Sequence, residues 1–294
     1  MVMSQPMSAA AYHRPRSLRE ALSCMDQTPN ARLIAGGTDL LVKQRKERPG
    51  VAAPLISLRS VSELRQIDID GERLRIGSAV PLTDVAASPG LAERFPVLVD
   101  SIRVLGSRQI RNVATLGGNL CNASPAADTA PALLTLDATV ELVGTDGTRE
   151  LPLAEFLHGP GQTALMPGEI LTAVILDPPP PGAGMAFLRK GRVKMDLAIV
   201  SLAVVLSMDG DVCVQARLAA GAVAPVPLRL NAAESILVGS QLDAATIQRA
   251  QAAAQAAIAP ISDLRSSADY RRRLLGVYVK RGVSAAVHAA GGRS

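Results

Sequence analysis

Two glycine pairs, Gly36-Gly37 and Gly117-Gly118, stand where an apolar run stops, and small polar residues follow each of them. The first lies in Leu33-Ile34-Ala35-Gly36-Gly37-Thr38-Asp39-Leu40, the second in Thr115-Leu116-Gly117-Gly118-Asn119-Leu120-Cys121-Asn122. Without a Cβ the main chain can take positive φ and bring its N–H groups close to a phosphate. A helix beginning just beyond such a turn adds unpaired N–H donors and the positive end of its dipole. One such turn reads equally well as a tight strand-to-helix connection. Two in one domain, with Thr38, Thr115 and Asn119 as further donors, point to a single dinucleotide long enough to touch both. Neither pair fits G-x-G-x-x-G or G-x-x-x-x-G-K-[ST], which disfavours an ordinary dinucleotide fold and a P-loop.

The surrounding pattern reads as α+β. Residues 17–25 form a helix expectation with Ser17 as N-cap and Glu20 three positions on. A strand at 32–35, a helix from 40 to 46 and a strand at 54–58 make a β-turn-α-β unit. Alternation at 73–77 after a turn at Asp70-Gly71 adds antiparallel strands, so the sheet is expected to be mixed. Helices are expected at 83–87 and 95–105, broken by Ser88-Pro89-Gly90. Ser124-Pro125 reads as N-cap and first residue of a helix running through 130–136. Asp128 would then stabilise that helix's first turn, accept ribose hydroxyls, or do both; Asp39, beside a pyrophosphate, is better suited to capping. Strands follow at 139–144 and 170–176. The proline run 178–181 cannot continue a ladder or a helix and marks a boundary. Beyond it come strands at 185–189, 199–208 and 212–220, then helices at 244–259 and 268–281. A chain of 294 residues holds about two such domains.

Composition removes several function classes. Aromatic residues make up 2% of the chain and Trp is absent, which argues against a surface that stacks nucleic-acid bases. The net charge of +5 is spread out, apart from Lys43-Gln44-Arg45-Lys46 and Arg271-Arg272-Arg273, which read as solvated helix faces. Cys24, Cys121 and Cys213 are far apart, as are His13, His158 and His288, so neither an iron–sulfur nor a zinc spacing exists. Free thiols fit a cytoplasmic setting. Residues 1–16 lack the apolar stretch of a signal peptide, and the longest apolar run, 197–206, is about half a bilayer span. There is no G-x-S-x-G, no H-E-x-x-H and no His beside a nucleophile. Any chemistry here belongs to a bound cofactor.

Taken together, Ala35-Gly36-Gly37-Thr38-Asp39-Leu40, Ala114-Thr115-Leu116-Gly117-Gly118-Asn119-Leu120, Ser124-Pro125-Ala126-Ala127-Asp128 and Asp269-Tyr270-Arg271-Arg272 resemble the FAD-binding medium subunit of the molybdenum hydroxylases. That group includes carbon monoxide dehydrogenase, xanthine dehydrogenase and 4-hydroxybenzoyl-CoA reductase. The resemblance runs from about Tyr12 to Val283 and implies a vanillyl-alcohol-oxidase (PCMH)-type FAD domain over 1–180, with subdomains 1–58 and 59–180, and a small C-terminal α+β domain over 183–288. It implies that Ile34, Ala35, Gly36, Gly37, Thr38 and Asp39, with Thr115, Gly117, Gly118 and Asn119, hold the FAD pyrophosphate, and that Ser124 and Asp128 contact the adenosine-side ribose and phosphates. The stretch 187–196 is similar to the part that approaches the isoalloxazine, where a cation would stabilise the reduced flavin. Arg192 paired with Asp196 is the first choice there and Lys190 the second. Leu105 stands where xanthine dehydrogenases carry a Phe near the flavin. Cys121 runs directly into Asn122-Ala123-Ser124, without the cysteine-rich insertion of the hydroxybenzoyl-CoA reductases.

The resemblance further implies an oxidoreductase subunit that takes electrons from 2Fe-2S clusters of a small partner subunit and passes them through FAD to an external acceptor. Substrate is oxidised on a large molybdenum-cofactor subunit, in a cytoplasmic dimer of heterotrimers without nucleic acid or membrane insertion. Two other readings are an FAD-free scaffold subunit and a self-contained flavoenzyme. The intact glycines weigh against the first, and the lack of an acid or base weighs against the second.

Overall fold

The computed structural model describes residues 11–47 and 53–291. Most of the N-terminal stretch read above for a signal peptide lies outside them. The chain forms a small parallel sheet, a larger antiparallel sheet and a C-terminal antiparallel sheet backed by helices.

In the parallel sheet the strands Tyr12–His13, Leu55–Ser57 and Arg32–Ile34 lie side by side in that order. The crossover from Arg32–Ile34 to Leu55–Ser57 passes through the helix Leu40–Glu47, which completes the expected β-turn-α-β unit. The first helix, Leu18–Gln27, starts at Ser17, whose hydroxyl accepts the Glu20 N–H at 3.2 Å. Glu20 itself reaches back to the Arg16 N–H at 2.7 Å, one residue earlier than an ordinary capping box.

The expectation of one mixed sheet needs correction. The antiparallel strands form a sheet of their own, in the order Ile67–Asp68, Leu74–Gly77, Ile170–Leu176, Thr139–Gly144, Gly147–Pro152. Every residue of Ile170–Leu176 is buried, which explains why it reads as an unbroken apolar run. A second correction concerns 82–103. Pro89 is the first residue of a short helix, Pro89–Arg94, and so the expected break is itself helical, between Leu82–Ala87 and Pro96–Arg103.

The C-terminal sheet has the order Gly184–Lys190, Val200–Asp209, Val212–Gly221, Leu228–Arg229. Along Val200–Asp209, successive side chains point to opposite faces. Ala203 and Val205 join the core of the N-terminal half, while Val200, Leu202, Val204 and Leu206 join a second core under the helices Asn231–Leu237, Ala244–Ala256 and Ala268–Ala289. Both faces of this strand are therefore buried.

The first core is almost wholly aliphatic, with Phe95 and Phe156 as its fully buried aromatic side chains. Cutting Phe95 back to Ala leaves a cavity that this packing cannot refill, and about 3–5 kcal/mol should be lost in urea unfolding followed by circular dichroism.

Candidate functional site

The strand Arg32–Ile34 ends at the first glycine turn. Ile34 is buried, and its side chain lies against Gly37, which has φ +74°. The backbone N–H groups of Gly36, Gly37, Thr38 and Asp39 donate to no acceptor among the described residues. Four successive N–H groups without an acceptor among the described residues, just ahead of the helix Leu40–Glu47, are the kind of donors an anion can use. Ala35 and Thr38 are half-buried beside it and Asp39 is exposed. The Asp39 carboxylate accepts no hydrogen bond among the described residues, so the expected capping role is not seen.

The second turn is built differently. Thr115 is the N-cap of the helix Leu116–Cys121, so Gly117 and Gly118 lie inside the first helical turn and not ahead of it. Their donors are already used. Gly117 N–H donates to the Ser78 carbonyl at 3.0 Å, and Gly118 N–H to the Thr115 hydroxyl at 3.1 Å. The Asn119 amide oxygen accepts the Thr129 hydroxyl at 2.6 Å and ties this helix to the next.

The structure brings the two turns together. A Cβ at Gly36 would overlap the Val113 carbonyl and lie 2.8 Å from the Ala114 Cα, so only glycine lets the first turn rest on the segment that leads into the second. At Gly117 a Cβ would stand 2.5 Å from the Ser78 Cβ. Gly118 is different: it is exposed, and a Cβ there would meet the Thr115 hydroxyl oxygen alone, at 2.9 Å. Protein packing demands glycine at 36 and 117, whereas position 118 opens onto space a ligand can fill. These features fit the diphosphate of a dinucleotide.

Beyond the second turn the expected helix start at Ser124-Pro125 is corrected. The Ser124 hydroxyl accepts the Ala126 N–H at 3.2 Å and its carbonyl the Ala127 N–H at 3.0 Å, which makes a turn. The helix begins at Thr129, and Asp128 caps it with no side-chain hydrogen bond. Instead Asp128 Oδ1 pairs with Arg189 Nε at 2.8 Å, across the seam to the C-terminal sheet, with side chains 6% and 7% exposed. Burial pushes the Asp128 carboxyl up to about 6, although Arg189 pulls it the other way. The Pro125 carbonyl accepts the Ala222 N–H at 2.7 Å and closes the same seam.

Arg189 had no role in the sequence reading. Its signal was the strand period: Arg189 is in phase with Met185 and Phe187, which pack toward the first core, while Ala186 and Leu188 face the second. The expected flavin-side residues sit farther out. Lys190 is exposed, and Arg192 pairs with Asp196 at 2.6 Å with the Arg192 side chain 53% exposed. Hydrogen bonding from Arg192 holds the Asp196 carboxyl below its ordinary range. Leu105 is half-buried at the edge of the first core, and Arg111 donates to its carbonyl at 2.9 Å. Arg271, from the Asp269–Arg272 motif, is buried and donates to the Ile199 and Ala222 carbonyls at 2.5 and 3.1 Å. Cavities of about 520 Å³ beneath the first helix and about 410 Å³ along the proline run include no residue of either glycine turn.

Two family models match. One, described as the FAD binding domain in molybdopterin dehydrogenase, matches residues 6–179, and the other, the CO dehydrogenase flavoprotein C-terminal domain, matches 186–286. The chain is 35% identical over 276 residues to the carbon monoxide dehydrogenase medium chain of Afipia carboxidovorans, covering 94% of this chain and 96% of that one. It is 34% identical over 288 residues to the xanthine dehydrogenase FAD-binding subunit of Escherichia coli, covering 97% and 98%. Among solved structures it is similar to reconstituted CO dehydrogenase from Oligotropha carboxidovorans, with TM-score 0.92, 33% identity and coverage of 97% and 100%. Quinoline 2-oxidoreductase from Pseudomonas putida 86 gives TM-score 0.91 at 32% identity, covering 97% and 99%.

Gly118→Ala should lose FAD in a binding titration at the cost of a small drop in melting temperature, because its methyl enters the open side and meets the Thr115 hydroxyl alone within the protein. Gly117→Ala should lower the melting temperature by more, because its methyl strikes Ser78. For Asp128, the folded chain keeps a proton up to about pH 6 that an ordinary carboxyl near 3.8 has released. Its contribution to stability thus falls as pH rises through that window and is flat above it. Asp128→Asn should remove that slope from urea midpoints measured between pH 4 and 7.

Proposed function

The chain belongs to the FAD-binding subunits of the molybdenum hydroxylases, the family of carbon monoxide and xanthine dehydrogenases, and from that membership we propose that it relays electrons between a partner subunit and an external acceptor. The observation that carries the reading is the run of unpaired N–H donors at Gly36–Asp39, seated through Gly36 on the approach to the second turn. FAD supplies the ability to take electrons singly and give them up as a pair.

The chain's own residues bind and orient. Ile34, Ala35, Gly36, Gly37, Thr38 and Asp39 place main-chain donors at the diphosphate, and Thr115, Gly117, Gly118 and Asn119 form the opposite wall. Ser124 and Asp128 serve the adenosine-side ribose. Asp128 Oδ1 is engaged by Arg189, while Oδ2 accepts no hydrogen bond among the described residues and is the oxygen open to a hydroxyl. Lys190, Arg192 and Asp196 border the isoalloxazine with Leu105, and Arg189 adds a cation held out of water. No side chain here is asked to attack substrate, which fits a subunit whose substrate is oxidised elsewhere.

The partners in this reading are a small subunit carrying 2Fe-2S clusters and a large subunit carrying the molybdenum cofactor, assembled as a cytoplasmic dimer of heterotrimers. No helix among the described residues is long and apolar enough to cross a membrane. The FAD-binding domain is assigned to 1–180 and the C-terminal domain to 183–288. The purified chain should be yellow, with flavin absorption, and should turn over no organic substrate alone. A colourless folded chain, or turnover without partners, would sink the relay.

A further inference from the structure

We propose that Arg189 is a positioning residue: its guanidinium fork fastens the segment 191–197 to the FAD-binding half by holding the Asp128 carboxylate and the Asp196 carbonyl together. The consequence for flavin rests on the functional reading above, since 191–197 carries Arg192 and Asp196; the anchoring does not.

The segment has little else to hold it. Its apolar side chains Val193, Met195 and Leu197 are 68%, 65% and 47% exposed, so it buries almost nothing and packing does not fix it. Several of its hydrogen bonds are internal. Asp196 N–H donates to the Val193 carbonyl at 3.2 Å, Leu197 N–H to Asp196 Oδ1 at 2.9 Å, and Arg192 pairs with Asp196. Ile199 N–H donates to the Lys190 carbonyl at 2.6 Å and closes the neck. Among the described residues, the polar ties from 191–197 to other parts of the fold are a long approach of Arg265 to Asp196, at 3.9 Å, and the bond from Arg189 Nη2 to the Asp196 carbonyl.

Arg189 is suited to this task because it is itself immobile. It stands on the inward face of Gly184–Lys190, with its side chain 7% exposed and Nε on Asp128. Arginine offers several donors in one rigid plane, so one guanidinium can serve a carboxylate on one side and a carbonyl on the other. A lysine ammonium is a point charge on a flexible stem. Asp128, in turn, is fixed by the seam that Ala222 and Pro125 close. The segment is thus held through a single buried side chain.

Limited trypsin digestion of the full chain reads this directly, because Lys190, Arg192 and Lys194 are cleavage sites within or beside the segment. Cleavage there should be slow in the wild type, at least about tenfold faster in Arg189→Met, and intermediate in Arg189→Lys, since cutting follows the population of the released segment. The double variant Arg189→Met/Asp128→Leu removes both charges and leaves no unpaired buried ion, so it should melt near the wild type and still be cut as fast as Arg189→Met. Wild-type cleavage rates in the double variant, or in Arg189→Met itself, would overturn the proposal. Digestion is run without added FAD, and a separate FAD titration of the wild type tests the functional reading, so either can fail alone.

Discussion

The backbone contact between Gly36 and Val113–Ala114 sets how closely the two glycine turns of the FAD-binding half approach each other. Beside the small apolar core of Ala21, Leu58, Val61, Leu64, Ala79 and Ile170, it is the place where the turn that carries the unpaired donors rests on the segment leading into the second turn. Main chain against main chain at this distance leaves no room for any side chain, so glycine is required for the two turns to lie side by side. The division of labour follows. The first turn keeps its N–H groups free, and the second uses its own to hold itself in place on Ser78 and Thr115.

A second constraint lies at the seam. Burying Asp128 and Arg189 costs solvation that the pair recovers only with good geometry, and such pairs seldom stabilise a fold better than apolar packing would. The raised Asp128 carboxyl is the signature of that cost. What the pair gives in return is orientation, because the same guanidinium reaches an exposed segment that has no core of its own. The buried carboxylate that follows the second turn and the exposed stretch 191–197 are joined through one side chain.

Much of this was legible in the residues. Both glycine turns, the unit from Arg32 to Ser57 and the long strands after the proline run are written in local signals: apolar runs, turn residues and their spacing. Ser124-Pro125 misled because the same residues that open helices also make hydroxyl turns, and only the position of Ala126 N–H distinguishes them. The separation into two sheets was hidden because Ile170–Leu176 inserts between Leu74–Gly77 and Thr139–Gly144, a pairing between residues distant in sequence. Arg189 is not legible in the residues as Lys190 and Arg192 are, because its partner lies 61 positions away and no local pattern announces an ion pair of that separation.

The strand Val200–Asp209 bears on how such chains can be recombined. Its odd-numbered members Ala203 and Val205 plug into the nucleotide-binding half while the even-numbered ones line the helical half, so it is a party wall. A chimera spliced at the proline run would carry the wall from one parent and half its lining from the other, and mismatched volumes at 203, 205 and 219 would open gaps beneath the FAD-binding half. Exchange of C-terminal domains between relatives should therefore succeed only when those residues travel together with the surface they meet.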